Sequence, residues 1–218
     1  MAGTILTPTQ KIILDLLSQD KIFTKNFYLT GGTALSEFYL HHRLSEDLDF
    51  FTETEIDKIW LNTISAKIAK TIKAKKDLQE SFNRNLVFFT VDNQLVKTEF
   101  TYFPMTQIKK PQKINNMPID SEIDIAVNKF FTIYQKSTAR HFIDLYLLLT
   151  TKKYTWEELR KLARIKFDTV IDPIQLGSQL IKVQNVSDLP KMLIPLPEGR
   201  WRTYYLQQAK ALKSEVTK

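Results

Sequence analysis

The residues in this chain best suited to chemistry are two acids one position apart, Asp47-Leu48-Asp49, running into Phe50-Phe51. In an extended strand alternate side chains share a face, so Asp47 and Asp49 point one way while Leu48 and Phe50 point the other. Two steps of strand separate their Cα atoms by about 6.5 Å. At an effective dielectric near 20, like charges at that distance repel by about 2.5 kcal/mol, so the arrangement does not serve stability. A divalent cation turns the repulsion into attraction, and Mg2+, which takes oxygen ligands beside phosphates, is the expected ion. The plainer reading is a solvated strand end with two surface acids.

Upstream stands Gly31-Gly32-Thr33. The chain has only five glycines, and a pair of them marks a tight turn or a close approach to the backbone. Between a strand and a helix such a turn presents N–H groups to a phosphate, and the Thr33 hydroxyl can cap the helix. An ordinary strand-to-helix turn uses the same residues. Residues 27 to 51 therefore read as a strand (Phe27-Tyr28-Leu29-Thr30), a glycine turn, a helix from Thr33 to about His42, and a second strand carrying the acids.

Other elements must hold this unit in place. Thr7-Pro8 opens a helix with Ile12, Ile13, Leu16 and Leu17 on one face. Ile56, Ile59, Trp60, Ile64, Ile68 and Ile72 recur at helical spacing as a core stripe, and Lys70, Lys73, Lys75 and Lys76 read as its solvated end. Asn85 to Val91 and Leu95 to Phe103 read as a hairpin turning at Asp92-Asn93-Gln94. In its second strand Lys97, Glu99 and Thr101 share a face. Pro104, Pro111 and Pro118 mark a boundary, giving a core over residues 1–110 and a mainly helical part over 111–218. Within the latter, Ser121 caps a helix over 122–135. The next helix, about 138–150, sets Asp144 among apolar neighbours, where a carboxylate needs a partner. Arg140, one turn earlier, offers a local salt bridge. Thr155-Trp156-Glu157-Glu158 and Asp172-Pro173 open two further helices, and a last one follows Pro197. There Arg200, Trp201, Arg202, Tyr204 and Tyr205 suit either base stacking or helix packing.

With 218 residues, 43% of them hydrophobic, the chain can bury a sizeable core. A net charge of +7 suits an anionic partner, and suits equally a lysine-rich protein with no such partner. The absence of cysteine excludes disulfides and thiolate metal sites. No signal peptide or apolar run near 18 residues is evident, so a cytoplasmic protein with no membrane association is expected. The three histidines form no metal or nucleophile constellation.

The glycine turn followed by Asp-x-Asp, with thirteen residues between Thr33 and Asp47, resembles the signature of the polymerase-beta-like nucleotidyltransferase superfamily. More narrowly, Gly31-Gly32-Thr33-Ala34-Leu35 and Arg43-x-Ser45-x-Asp47-Leu48-Asp49-Phe50-Phe51 resemble the AbiEii/AbiGii-type nucleotidyltransferase toxins of bacterial abortive-infection and toxin-antitoxin systems. The resemblance covers roughly residues 25 to 150. It implies an α+β fold, a mixed sheet with flanking helices followed by a helical C-terminal part. It also implies an NTP substrate, Mg2+ on Asp47 and Asp49 with Glu99 as a third carboxylate, and nucleotide contacts from Gly31, Gly32, Thr33, Arg43 and Ser45. Lys129 would contact phosphates and Asp144 would complete the site. The partners it implies are an RNA acceptor, with a tRNA 3′ end among the candidates, and a separately encoded antitoxin. His141 departs from the pattern, standing where an Asp is usual. Two other readings stay open: a non-catalytic nucleotide- or RNA-binding relative, and a small-molecule nucleotidyltransferase.

Overall fold

The computed structural model describes residues 3–152 and 154–216. The chain forms two compact units, dividing between Ser121 and Glu122.

The first unit is built on one mixed sheet. In chain order its elements are α1 (Pro8–Ser18), α2 (Lys21–Asn26), β1 (Phe27–Thr30), α3 (Gly31–Leu35) continuing as a π-helical turn over Ser36–Leu40, β2 (Leu48–Thr52) and α4 (Lys58–Thr71). Then follow β3 (Lys75–Ser81), β4 (Arg84–Val91), β5 (Gln94–Tyr102), β6 (Gln112–Ile114) and β7 (Met117–Ile119). Among the described residues the sheet has seven strands in the order β3-β4-β5-β2-β1-β7-β6. β2 runs antiparallel to β1 and parallel to β5, which sets Asp49 between Thr30 on one side and Glu99 on the other.

The sequence chooses the buried face with aromatic rings. Phe27 (β1), Phe50 (β2) and Phe100 (β5) pack against Phe23 of α2 and Trp60 of α4, with ring centroids 4.8 to 6.0 Å apart. Each buried ring contributes about 1.5–3 kcal/mol, so together they far outweigh the repulsion between two acids on the opposite face. Register then follows from alternation: with Leu48, Phe50 and Phe100 inside, Asp49 and Glu99 are obliged to face the other way.

Several elements differ from the sequence reading. Lys75 and Lys76 begin the edge strand β3 rather than ending a helix. Ile12 and Ile59 lie exposed on their helices, where periodicity assigned them to the core. The Pro-marked stretch after residue 110 contains the β6-β7 hairpin, whose Asn115 and Asn116 both adopt positive φ, and it belongs to the sheet unit. The same left-handed pair, Asp92 and Asn93, turns β4 into β5.

The second unit is helical: α5 (Glu122–Gln135), α6 (Ala139–Thr151), α7 (Trp156–Phe167), α8 (Pro173–Ile181) and α9 (Glu198–Val216). Thr155 and Asp172 cap α7 and α8 through their side chains. Trp201 and Tyr205 of α9 are wholly buried against Phe142 of α6. Arg202 is spent on Glu198 and on the carbonyls of Val183 and Val186. Trp201 and Tyr205 of the aromatic-cationic run thus pack the helical core, while Arg200 is exposed. Among the described residues no helix is long and apolar enough to cross a membrane.

Candidate active site

Gly31 takes φ +72°, a left-handed conformation that leads β1 directly into α3. A Cβ there would lie 2.5 Å from Asp49 Oδ2. A Cβ on Gly32 would lie 2.5 Å from Arg43 Nη2 and 2.9 Å from Ser45 Oγ. At both glycines other side chains, Asp49 at Gly31 and Arg43 with Ser45 at Gly32, occupy the space that a side chain of their own would fill. Thr33 closes the arrangement: its hydroxyl donates to the Asp47 carbonyl, tying the start of the helix to the residue before β2. It caps no helix end by its side chain, contrary to the sequence expectation.

The structure therefore brings Gly31, Gly32, Thr33, Arg43, Ser45, Asp47 and Asp49 into one locality of the sheet unit. Two supports were not read from sequence. Gln10 uses its Oε1 to accept from the Thr7 amide and its Nε2 to donate to the Ser45 and Glu46 carbonyls, at 3.3 and 2.9 Å. Helix α1 thereby holds the loop that delivers Asp47. On the other flank Asp120, fully buried after β7, accepts from Thr30 Oγ1 at 2.6 Å and from Gln107 Nε2 at 3.0 Å, fixing the residue before the glycine turn.

Glu99 lies beside Asp49 in register, where a flanking acid would stand, but its oxygens are engaged. Arg84 Nε and Nη2 donate to them at 2.8 and 2.6 Å, and the Thr101 hydroxyl adds a third bond at 2.8 Å. Burial works to raise the Glu99 pKa. The bonds from Arg84 and Thr101, with the charges of Arg84 and Lys97, outweigh it and hold the carboxyl below its ordinary range. Arg84 is in turn held protonated chiefly by its bond to Glu99. Lys97 sits in the middle of the acids, its Nζ 3.0 Å from Asp47 Oδ2 and 4.0 Å from Glu99 Oε2. Its sequence signal was the Lys97-x-Glu99 alternation on the strand next to Asp47-x-Asp49.

In the helical unit the partner of Asp144 is Lys129, at 2.8 Å, with the two side chains 0% and 8% exposed. Arg140, the local alternative, lies exposed on α6. A second buried pair joins Lys166 of α7 to Asp124 of α5 at 2.6 Å. Both acids and both amines sit where an unpaired charge would be strongly unfavourable, so each pair locks α5 to a neighbouring helix.

Comparison with known proteins follows this geometry. Residues 15–215 match the family described as "Nucleotidyl transferase AbiEii toxin, Type IV TA system". The chain belongs to the AbiEii family. The match runs through both units. An uncharacterized protein of Aquifex aeolicus (strain VF5) is 32% identical over 149 residues, 66% of this chain and 68% of that protein. Among solved structures, a putative nucleotidyltransferase from H. pylori superposes with TM-score 0.62 at 19% identity, covering 96% of this chain and 93% of that one. MenT4, a nucleotidyltransferase toxin from Mycobacterium tuberculosis H37Rv, gives 0.55 at 16% identity, covering 93% and 80%. At these identities the solved structures establish the nucleotidyltransferase fold; membership of the AbiEii toxins rests on the family match.

Proposed function

We propose that the protein transfers a nucleoside monophosphate from an NTP to an RNA acceptor, releasing pyrophosphate, and that it acts in the cytoplasm as the toxin of a toxin-antitoxin pair. The observation that carries this reading is the contact between Gly31 and Asp49: a left-handed glycine turn meets one acid of the Asp47-x-Asp49 pair. Gly31, Gly32 and Thr33 receive the phosphates, and Arg43 and Ser45 behind Gly32 supply positive charge and a hydroxyl.

Asp47 and Asp49 fit Mg2+. That ion takes one or two protein carboxylates and completes its shell with water and substrate phosphate, and among the described residues no group of three His, Cys, Asp or Glu side chains offers a fuller cage. Bound there, Mg2+ neutralises triphosphate charge and makes the acceptor oxygen a better nucleophile. The protein's own contribution is to fix the triphosphate for in-line attack on the α-phosphorus. With Glu99 engaged by Arg84, its role in this scheme is to anchor cations beside the acids. The family resemblance assigns Lys129, buried against Asp144 in the helical unit, a phosphate-contacting role. A separately encoded antitoxin is the expected partner.

The test is incorporation of α-labelled NMP into total bacterial RNA, with each of the four NTPs in turn. Asp49→Asn is expected to lower transfer by about 100-fold or more while leaving the melting temperature within a few degrees of wild type. An unchanged rate would overturn the proposal.

A further inference from the structure

Lys97 is the residue whose placement the proposed reaction does not explain. It stands on β5 two positions before Glu99 and one position before Thr98, the register partner of Leu48, so its ammonium lies next to Asp47 on the face that carries Asp49. The two ends of its interaction are unequal. Glu99 is 9% exposed and held by three hydrogen bonds, a fixed anchor 4.0 Å away. Asp47 is 33% exposed and Lys97 27%, so the 3.0 Å bond between them is open to water, and ion pairs of that kind are weak and easily exchanged. Helix α1 and Thr33 hold the backbone around Asp47, so what exchanges is the side-chain contact.

We propose that Lys97 is an exchangeable counterion of Asp47, a tethered ammonium that a divalent cation must displace and that Glu99 then keeps beside the incoming triphosphate. The inference rests on the reading of Asp47 and Asp49 as the metal-holding pair. Its consequence is that the nucleotide-free protein binds divalent cations poorly. The displaced ammonium loses its carboxylate unless phosphate oxygens replace it, so metal and triphosphate are favoured together.

Mn2+ binding to the full-length, nucleotide-free protein, followed by the EPR signal of the free ion, tests this in wild type, Lys97→Gln, Lys97→Met and Asp49→Asn. Removing a unit positive charge this close to a ligand is expected to tighten Mn2+ binding about tenfold in either Lys97 variant, whereas Asp49→Asn abolishes it. A purely structural lysine would give the opposite sign or none. Asp49→Asn losing the ion while both Lys97 variants bind within twofold of wild type, or more weakly, overturns the counterion role and leaves the metal-holding pair standing. Asp49→Asn binding like wild type overturns both. If neither Lys97 variant folds, the Lys97 ammonium resonance of 15N-labelled wild type decides. A shift that follows Mg2+ occupancy supports exchange, and no shift on saturation refutes it.

Discussion

Single side chains here act in charged groups whose members cannot be removed independently. Lys129 and Asp144 form a buried pair, so Lys129→Met takes the ammonium from a buried carboxylate and is expected to cost about 3–5 kcal/mol. Adding Asp144→Asn should recover most of that loss, and urea unfolding of the double-mutant cycle measures it. Any fall in transfer by Lys129→Met must therefore be read against the double variant, which lacks the cation and is expected to fold. Glu99 gives a pH signature. Its pKa is depressed in the folded protein, so its contribution to stability is present above the ordinary carboxylate value and is lost as pH falls through the folded value. Melting between pH 7 and pH 3 should show wild type losing more stability than Glu99→Gln, with the two curves converging at the acid end. Lys97 and Glu99 were visible in the sequence as an alternating pair, but their meaning depended on which strand lies beside β2, and that pairing is parallel and non-adjacent in sequence. No local pattern reports such a neighbour.

At the level of elements, what could be read depended on whether an element stabilises itself or is stabilised by its surroundings. Helix α5 spans the residues read from the sequence, and α7 and α8 begin where their caps Thr155 and Asp172 place them. The β4-β5 hairpin announces itself through Asp92-Asn93. Edge strand β3 has mostly exposed side chains and derives its conformation from the β4 ladder, so its lysines read as helix end. The β6-β7 hairpin is too short for alternation to show, and Pro111 and Pro118 give the stretch the look of a boundary. Helix α2, six residues with a single buried side chain, left no pattern either. The turns lead to a mild prediction: Asn93→Gly removes left-handed strain at φ 65° and should stabilise by about 0.5–1 kcal/mol in thermal unfolding. The glycine turn leads to a severe one. Gly31→Ala combines positive φ with a Cβ at 2.5 Å from Asp49 Oδ2, so about 1–3 kcal/mol of stability should disappear together with nucleotidyl transfer. Gly32→Ala meets the mobile ends of Arg43 and Ser45 instead and should be the milder of the two.

The molecule as a whole carries +7 and divides into a sheet unit and a helical unit. The glycine turn and the acid pair belong to the first unit, and the buried ion pairs Lys129–Asp144 and Lys166–Asp124 to the second. The last helix is integral to the second unit rather than an appendage: Trp201 and Tyr205 are among its largest fully buried side chains, and the Tyr205 hydroxyl donates to the Phe142 carbonyl at 2.8 Å. Trp201→Ala is expected to cost about 3–5 kcal/mol, measured by denaturant unfolding. The excess positive charge predicts that RNA binding weakens steeply with salt, with a log-log slope of about 0.7 per phosphate neutralised on a single strand. Filter binding from low to physiological salt measures that slope, and a flat response would argue against an RNA acceptor.

The left-handed bend at residue 31 sets two obstacles before any L side chain. An L-residue there meets both an unfavourable torsion and the Asp49 carboxylate. A D-alanine introduced by peptide ligation accepts the torsion freely and directs its methyl group along the opposite Cα–H bond. Mirror-image chemistry at one atom would thus lift both obstacles together, and a D-alanine protein as stable as wild type would show that residue 31 excludes an L side chain rather than any side chain.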